Sequence, residues 1–242
     1  MLRSVVALLL WASACCGHAA QPLLLGVDQP FAHTAKLLAS HYSRHSGQPV
    51  NLVVGTASTL GTHIVNAKPL DLLLISDSWR LQQLTDNGHL LADAQRVVAR
   101  DQLMLWSRDF PGLAVERLPD LPLLVIASPR QTAYGVAAQQ LLESYQLWGT
   151  LGNRLRITEN ASQAFEQVRL GSSPAGLVPR ALLVQNGQLA KARAVPVNRY
   201  SPIEYRAAIV TGCNSRARAE ALQRYLQQDG RALIRQAGYA VP

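Results

Sequence analysis

The chain has 242 residues, a formal net charge of +8 and 48% hydrophobic residues, a length that allows one large domain or two small ones, each with its own core. Its basic residues are dispersed in pairs (Arg96 and Arg100, Arg154 and Arg156, Arg216 and Arg218) and form no patch interleaved with aromatics. Nucleic acid is therefore not an expected partner, and a weak bias towards anions remains.

The first residues read as a secretory signal over 1–19. Arg3 supplies a positive start, Val5 to Trp11 an apolar run, and Gly17 and Ala19 the small residues for cleavage after Ala19 or Ala20. The stretch Ala12-Ser13-Ala14 before Cys15 admits lipid anchoring as the less favoured alternative. The expected compartment is the periplasm, and removal of the leader leaves Cys213 as a lone thiol with no disulfide partner. No later segment is long and uncharged enough to cross a bilayer.

Leu23 to Val27 is an apolar run of strand length, and Ala35, Leu38, Ala39 and Tyr42 place a helix over 33–44 that Gly47 and Pro49 close. A strand over 50–54 turns through Gly55 to Ser58 into a second helix. A strand over 70–75 leads to a third helix, with Asp77 or Ser78 as its cap. Three strand-to-helix units in succession predict an α/β layer with a mainly parallel sheet covered on both faces.

Strands over 102–106, 123–126, 155–157 and 175–178, with helices over 132–145 and about 162–170, supply a second α/β layer. The chain ends with a strand over 205–210, a helix carrying Ala219, Leu222 and Leu226, and a last helix near 231–236. Sequence pattern does not place this end section in either layer.

Ser58, His33, His63, Asp71 and Asp77 fall in no motif that fixes a nucleophile, a base and an orienting group, so no catalytic residues and no enzyme are expected. No His/Cys cluster has metal-ligand spacing, and neither a metal nor a cofactor is expected. The strand-to-helix turns carry more information, because amides exposed at a helix start favour a negative group and Ser or Thr adds an orientable hydroxyl. Ala57-Ser58-Thr59 and the stretch from Ser128 to Tyr134 are the two best such places.

Through Ala57-Ser58-Thr59-Leu60, the run Asp71 to Asp77, Ala133-Tyr134-Gly135 and the ending Gly230 to Tyr239, the chain resembles the periplasmic molybdate-binding components of ABC importers. The resemblance implies a two-lobed α/β class II periplasmic binding fold, with lobe one at 20–100 and 203–242 and lobe two at 101–202. Crossings are then expected near Val97 to Ser107 and Val197 to Arg206. It also implies a small ligand held between the lobes, an inner-membrane ABC permease as partner, and a monomer.

In that family the oxyanion is held by backbone amides and hydroxyls without lysine or arginine. By position, the family's contacts fall on Ser58, with Thr56 and Thr59 beside it, on Tyr134, and on Asn160. Two positions depart from the family: Pro30 stands where it has a serine and Pro179 where it has a tyrosine, so both hydroxyls are lost. Asp28, Gln29 and Arg180 join the expected ligand-binding residues, and they are compatible with a polar or zwitterionic organic solute as well as with an anion in a rearranged pocket. A periplasmic sensor handing its ligand state to a protein partner is a further alternative.

Overall fold

The structure is a computed structural model and describes residues 21–242; the expected leader, with Cys15 and Cys16, lies outside the described residues. Two five-stranded sheets form two lobes. The first is built from β1 (Leu23–Asp28), β2 (Val50–Gly55), β3 (Leu72–Ile75), β4 (Leu90–Asp101) and β10 (Ile203–Val210), in the order β2-β1-β3-β10-β4. β1 runs parallel to β2 and β3, and β10 runs antiparallel to β3 and β4. All four residues of β3 are buried, as a strand covered on both faces requires.

The second sheet takes β5 (Leu103–Trp106), β6 (Leu124–Ala127), β7 (Leu155–Thr158), β8 (Ala175–Pro179) and β9 (Ala192–Ala194), in the order β7-β6-β8-β5-β9. The chain thus crosses between Asp101 and Leu103 and returns before Ile203, whose partner across the first sheet is Asp101.

Helices cover both sheets. In chain order they are α1 (Ala32–Ser46), α2 (Ala57–Val65), α3 (Ser78–Asp86), α4 (Ala133–Ser144), α5 (Leu147–Leu151), α6 (Ala161–Arg169), α7 (Arg180–Gln185), α8 (Arg216–Gln227) and α9 (Arg231–Gln236). Gly47 ends α1 at φ +70°, where a side chain would be strained. The end section belongs to the first lobe: α8 packs on β4 and β10, and α9 on α1.

Asp77 is the cap of α3, accepting from the Arg80 amide at 2.9 Å. Asp71 ties the first lobe together at the opposite end of β3. Its buried carboxylate accepts from the Leu24 amide at 2.8 Å and from the Asn214 amide at 2.9 Å. Truncation to alanine orphans both donors. Asp71→Ala is expected to cost about 3 kcal/mol in urea unfolding, and a cost below ~1 kcal/mol would show that water replaces the carboxylate.

Beneath the tips of β1 and β10 lies a buried aromatic trio. Phe31 packs at a tilt against Tyr205 and Tyr239, with ring centroids 4.8 and 4.7 Å away. The Tyr239 hydroxyl donates to the Pro30 carbonyl at 3.0 Å, which fixes the turn that follows β1.

Candidate functional site

The carboxyl ends of β1, β2 and β3 face the starts of α4 and α6 across the gap between the lobes. Asp28, Gln29, Pro30, Thr56 and Ser76 come from the first lobe, and Gln131, Thr132, Tyr134 and Asn160 from the second. In open α/β sheets the ligand crevice lies at such strand ends. The space they enclose is about 10 Å³, room for about one water molecule.

Three helices start here, and each is capped by a side chain already committed to its own backbone. Thr56 Oγ1 accepts from the Thr59 amide at 3.1 Å, Thr132 Oγ1 from the Gly135 amide at 2.9 Å, and Asn160 Oδ1 from the Gln163 amide at 2.9 Å. The first amides of α2, α4 and α6 have no intrahelical acceptor and, with the helix dipoles, give the crevice a positive potential. The Asn160 cap uses its oxygen and so keeps its NH2 group as a donor.

Asp28 sets the opposing charge. Its Oδ2 accepts from both the amide and the hydroxyl of Ser76, at 2.8 and 2.9 Å. Burial outweighs these two bonds, and nearby Asp77 adds repulsion, so the carboxyl is pushed up to about 7. Near neutral pH it exchanges between a carboxylate and a neutral acid able to donate. Ser76 is a site residue that sequence reasoning did not single out; its signal was a hydroxyl residue ending a fully apolar strand.

The other expected residues divide. Gln29, Thr56, Tyr134 and Asn160 line the crevice with Asp28. The Tyr134 hydroxyl is directed at Asp101, which it reaches at 2.6 Å. Ser58 and Thr59 stand beside the crevice without lining it: the Thr59 hydroxyl bonds that of Thr56 at 3.0 Å, and Ser58 Oγ lies 3.5 Å from the Arg80 guanidinium. The stem of Arg80 crosses α2 at Gly61, where a Cβ would approach Arg80 Cδ to 2.9 Å. Sequence reasoning missed this arginine, since nothing in helical spacing announces which glycine it will cross.

Pro30 is buried and lines the crevice, whereas Pro179 ends β8 and does not. Arg180 is not brought to the crevice. Its guanidinium donates to the Gly238 carbonyl, and it lines a separate cavity of about 780 Å³ between the crossing strands and the C-terminal segment. That cavity is larger and is lined by Arg100, Arg180 and Arg235, but it lies away from the carboxyl ends of β1, β2 and β3 and from the starts of α2, α4 and α6.

Gly135 lets α4 start against the β6–α4 turn. A Cβ there would fall 2.2 Å from the Ser128 carbonyl oxygen, so Gly135→Ala must displace backbone. A loss of roughly 3 kcal/mol in thermal unfolding is expected. An unchanged melting temperature would show that the turn yields freely.

A family profile described as bacterial extracellular solute-binding protein matches residues 23–240. The molybdate-binding protein ModA of Azotobacter vinelandii is 30% identical over 234 residues, covering 93% of this chain and 91% of that one. ModA of Rhodobacter capsulatus is 25% identical over 226 residues, covering 91% and 89%. Among solved structures, the Azotobacter vinelandii periplasmic molybdate-binding protein superposes with a TM-score of 0.83 at 25% identity, covering 91% of this chain and 99% of that chain.

Proposed function

Because the chain belongs to the bacterial extracellular solute-binding proteins, which are binding proteins and not enzymes, we propose that it captures a small anionic solute in the periplasm for an inner-membrane ABC permease. The observation that carries the anionic reading is the meeting of three helix starts, one from the first lobe and two from the second, around Asp28 and Ser76. Gln29 and Asn160 add side-chain donors, and Asp28 gives a further one when protonated.

The acidic group of the solute sits among these donors and holds the two lobes together, which couples binding to closure. Opening is a rotation of the lobe built on β1 to β4 and β10 against the lobe built on β5 to β9, about the two crossings. Molybdate, the ligand in the relatives' names, is one candidate among the oxyanions. Pro30 withdraws a donor on one side of the crevice, and Asp28 supplies one there only as the neutral acid.

A calorimetric titration of ligand-stripped protein against molybdate, sulfate, phosphate, small organic acids and amino acids tests the proposal. Binding confined to anions is expected; binding confined to amino acids, or none, overturns it. The Asp28 carboxylate favours a second reading, a zwitterion whose ammonium pairs with it. That reading predicts affinity rising with pH through 7, the opposite of the anionic one.

A further inference from the structure

Ser76 and Thr132 face more than the inner crevice. Both residues also line a second chamber of about 480 Å³, to which both lobes contribute. That volume lies in the range of cavities that hold small organic ligands, whereas the inner space admits about one water molecule.

Two apolar side chains line this chamber from opposite lobes. Trp79, at the start of α3, is 60% exposed, and Val136, in the first turn of α4, is 38% exposed. Trp79 is held from one side by Arg80, whose guanidinium carbon lies 5.1 Å from the ring centroid. A large aromatic kept in water at the mouth of a ligand crevice is surface waiting for a partner.

The same chamber holds an unspent cation. Arg130, exposed in the turn before α4, makes no ion pair among the described residues. The chamber's acidic residue, Asp77, is occupied as the cap of α3. A bare tetrahedral oxyanion held in the inner crevice has no apolar atoms for Trp79 and Val136 and no second acidic group for Arg130.

Building on the anionic reading above, we propose that the solute is an organic anion with two acidic groups. One group binds in the inner crevice, an apolar or aromatic body lies between Trp79 and Val136, and the second acidic group pairs with Arg130. Because the chamber adjoins the crevice, with Ser76 and Thr132 lining both, the solute itself is assigned as the occupant, and not the permease.

Calorimetry at pH 6 with 4-carboxyphenyl phosphate, phenyl phosphate, inorganic phosphate and molybdate tests this. The carboxylated ester is expected to bind about a hundredfold more tightly than inorganic phosphate, with phenyl phosphate between them. Trp79→Ala should weaken both esters about tenfold while inorganic phosphate is retained, and Arg130→Gln should weaken only the carboxylated one. Both side chains are exposed, and circular dichroism checks that the variants fold. Inorganic ions binding as tightly as the esters, or esters indifferent to both substitutions, would overturn the two-group solute and leave the anionic reading standing. Failure of all four ligands would overturn the two-group solute, and failure of sulfate and small organic acids as well would overturn the anionic reading.

Discussion

Asp28→Asn is expected to tighten the binding of sulfate, molybdate or a benzene dicarboxylate about tenfold at pH 8 and to change it little at pH 6. The Asp28 carboxyl lies at about 7, raised mainly by burial, and its Oδ2 already accepts two bonds from Ser76. An anion entering the crevice repels the carboxylate and binds the neutral acid, so binding above pH 7 takes up a proton. Affinity then falls about tenfold for each pH unit above the carboxyl's own value. Asparagine keeps an oxygen for Ser76 and carries no charge, so the variant's affinity should stay flat. These probes keep their own charge between pH 6 and 8, and titrations in buffers of different ionisation enthalpy read the proton uptake directly. Loss of binding in Asp28→Asn, with wild-type affinity rising towards pH 8, would assign the carboxylate to an ammonium instead.

The same shift acts on stability. A buried carboxyl raised from 3.8 to about 7 contributes most below pH 4, where folded and unfolded states are both protonated. The contribution is lost as pH rises from about 4 to about 7, on the order of a few kcal/mol. Asp28→Asn should therefore raise the melting temperature at pH 8 and leave it nearly unchanged at pH 4.

Which parts of this architecture were legible in the sequence follows from how strongly each segment is buried. β1, β3 and β6 are covered on both faces and read as apolar runs, and α1 shows its buried stripe at helical spacing. β4 was not expected. It lies towards one edge of its sheet, and its Leu90–Asp101 sequence mixes alanine with Asp, Gln and Arg, so alternation is faint and strand preference weak. The short α5, α7 and β9 carry too few residues for a period to show.

At the site, Asp28, Gln29, Thr56, Tyr134 and Asn160 fall at strand ends and helix starts, which chain order locates. Arg180 starts a helix too, yet its long side chain turns to the Gly238 carbonyl, a contact 58 residues away that local pattern cannot supply. Ser76 and Arg80 were obscured for a related reason: the role of each depends on which neighbouring element comes opposite.

The link between the lobes gives the last prediction. Tyr134 belongs to α4 of the second lobe, and its hydroxyl donates to the Asp101 carboxylate at the end of β4 in the first, 2.6 Å away. A second contact, 3.2 Å, joins it to the Tyr205 hydroxyl. Burial raises Asp101 to about 7, while the Tyr134 hydroxyl and the amides of Gln102 and Ala181 hold it down. Tyr134→Phe removes the largest of these lowering contacts, so the Asp101 carboxyl rises further. Stability from a raised carboxyl is lost as pH increases, so the variant should lose more at pH 8 than at pH 5. A charge-assisted bond of this kind contributes about 2 kcal/mol, or roughly 4–8 °C in melting temperature for a chain of this size at pH 8. Because the bond spans the lobes, its loss also disfavours closure. Solute affinity should fall about tenfold, and the unliganded radius of gyration in small-angle scattering should increase. Equal destabilisation at both pH values with unchanged affinity would make Tyr134 a packing residue, and closure would then rest on the solute and the remaining lobe contacts.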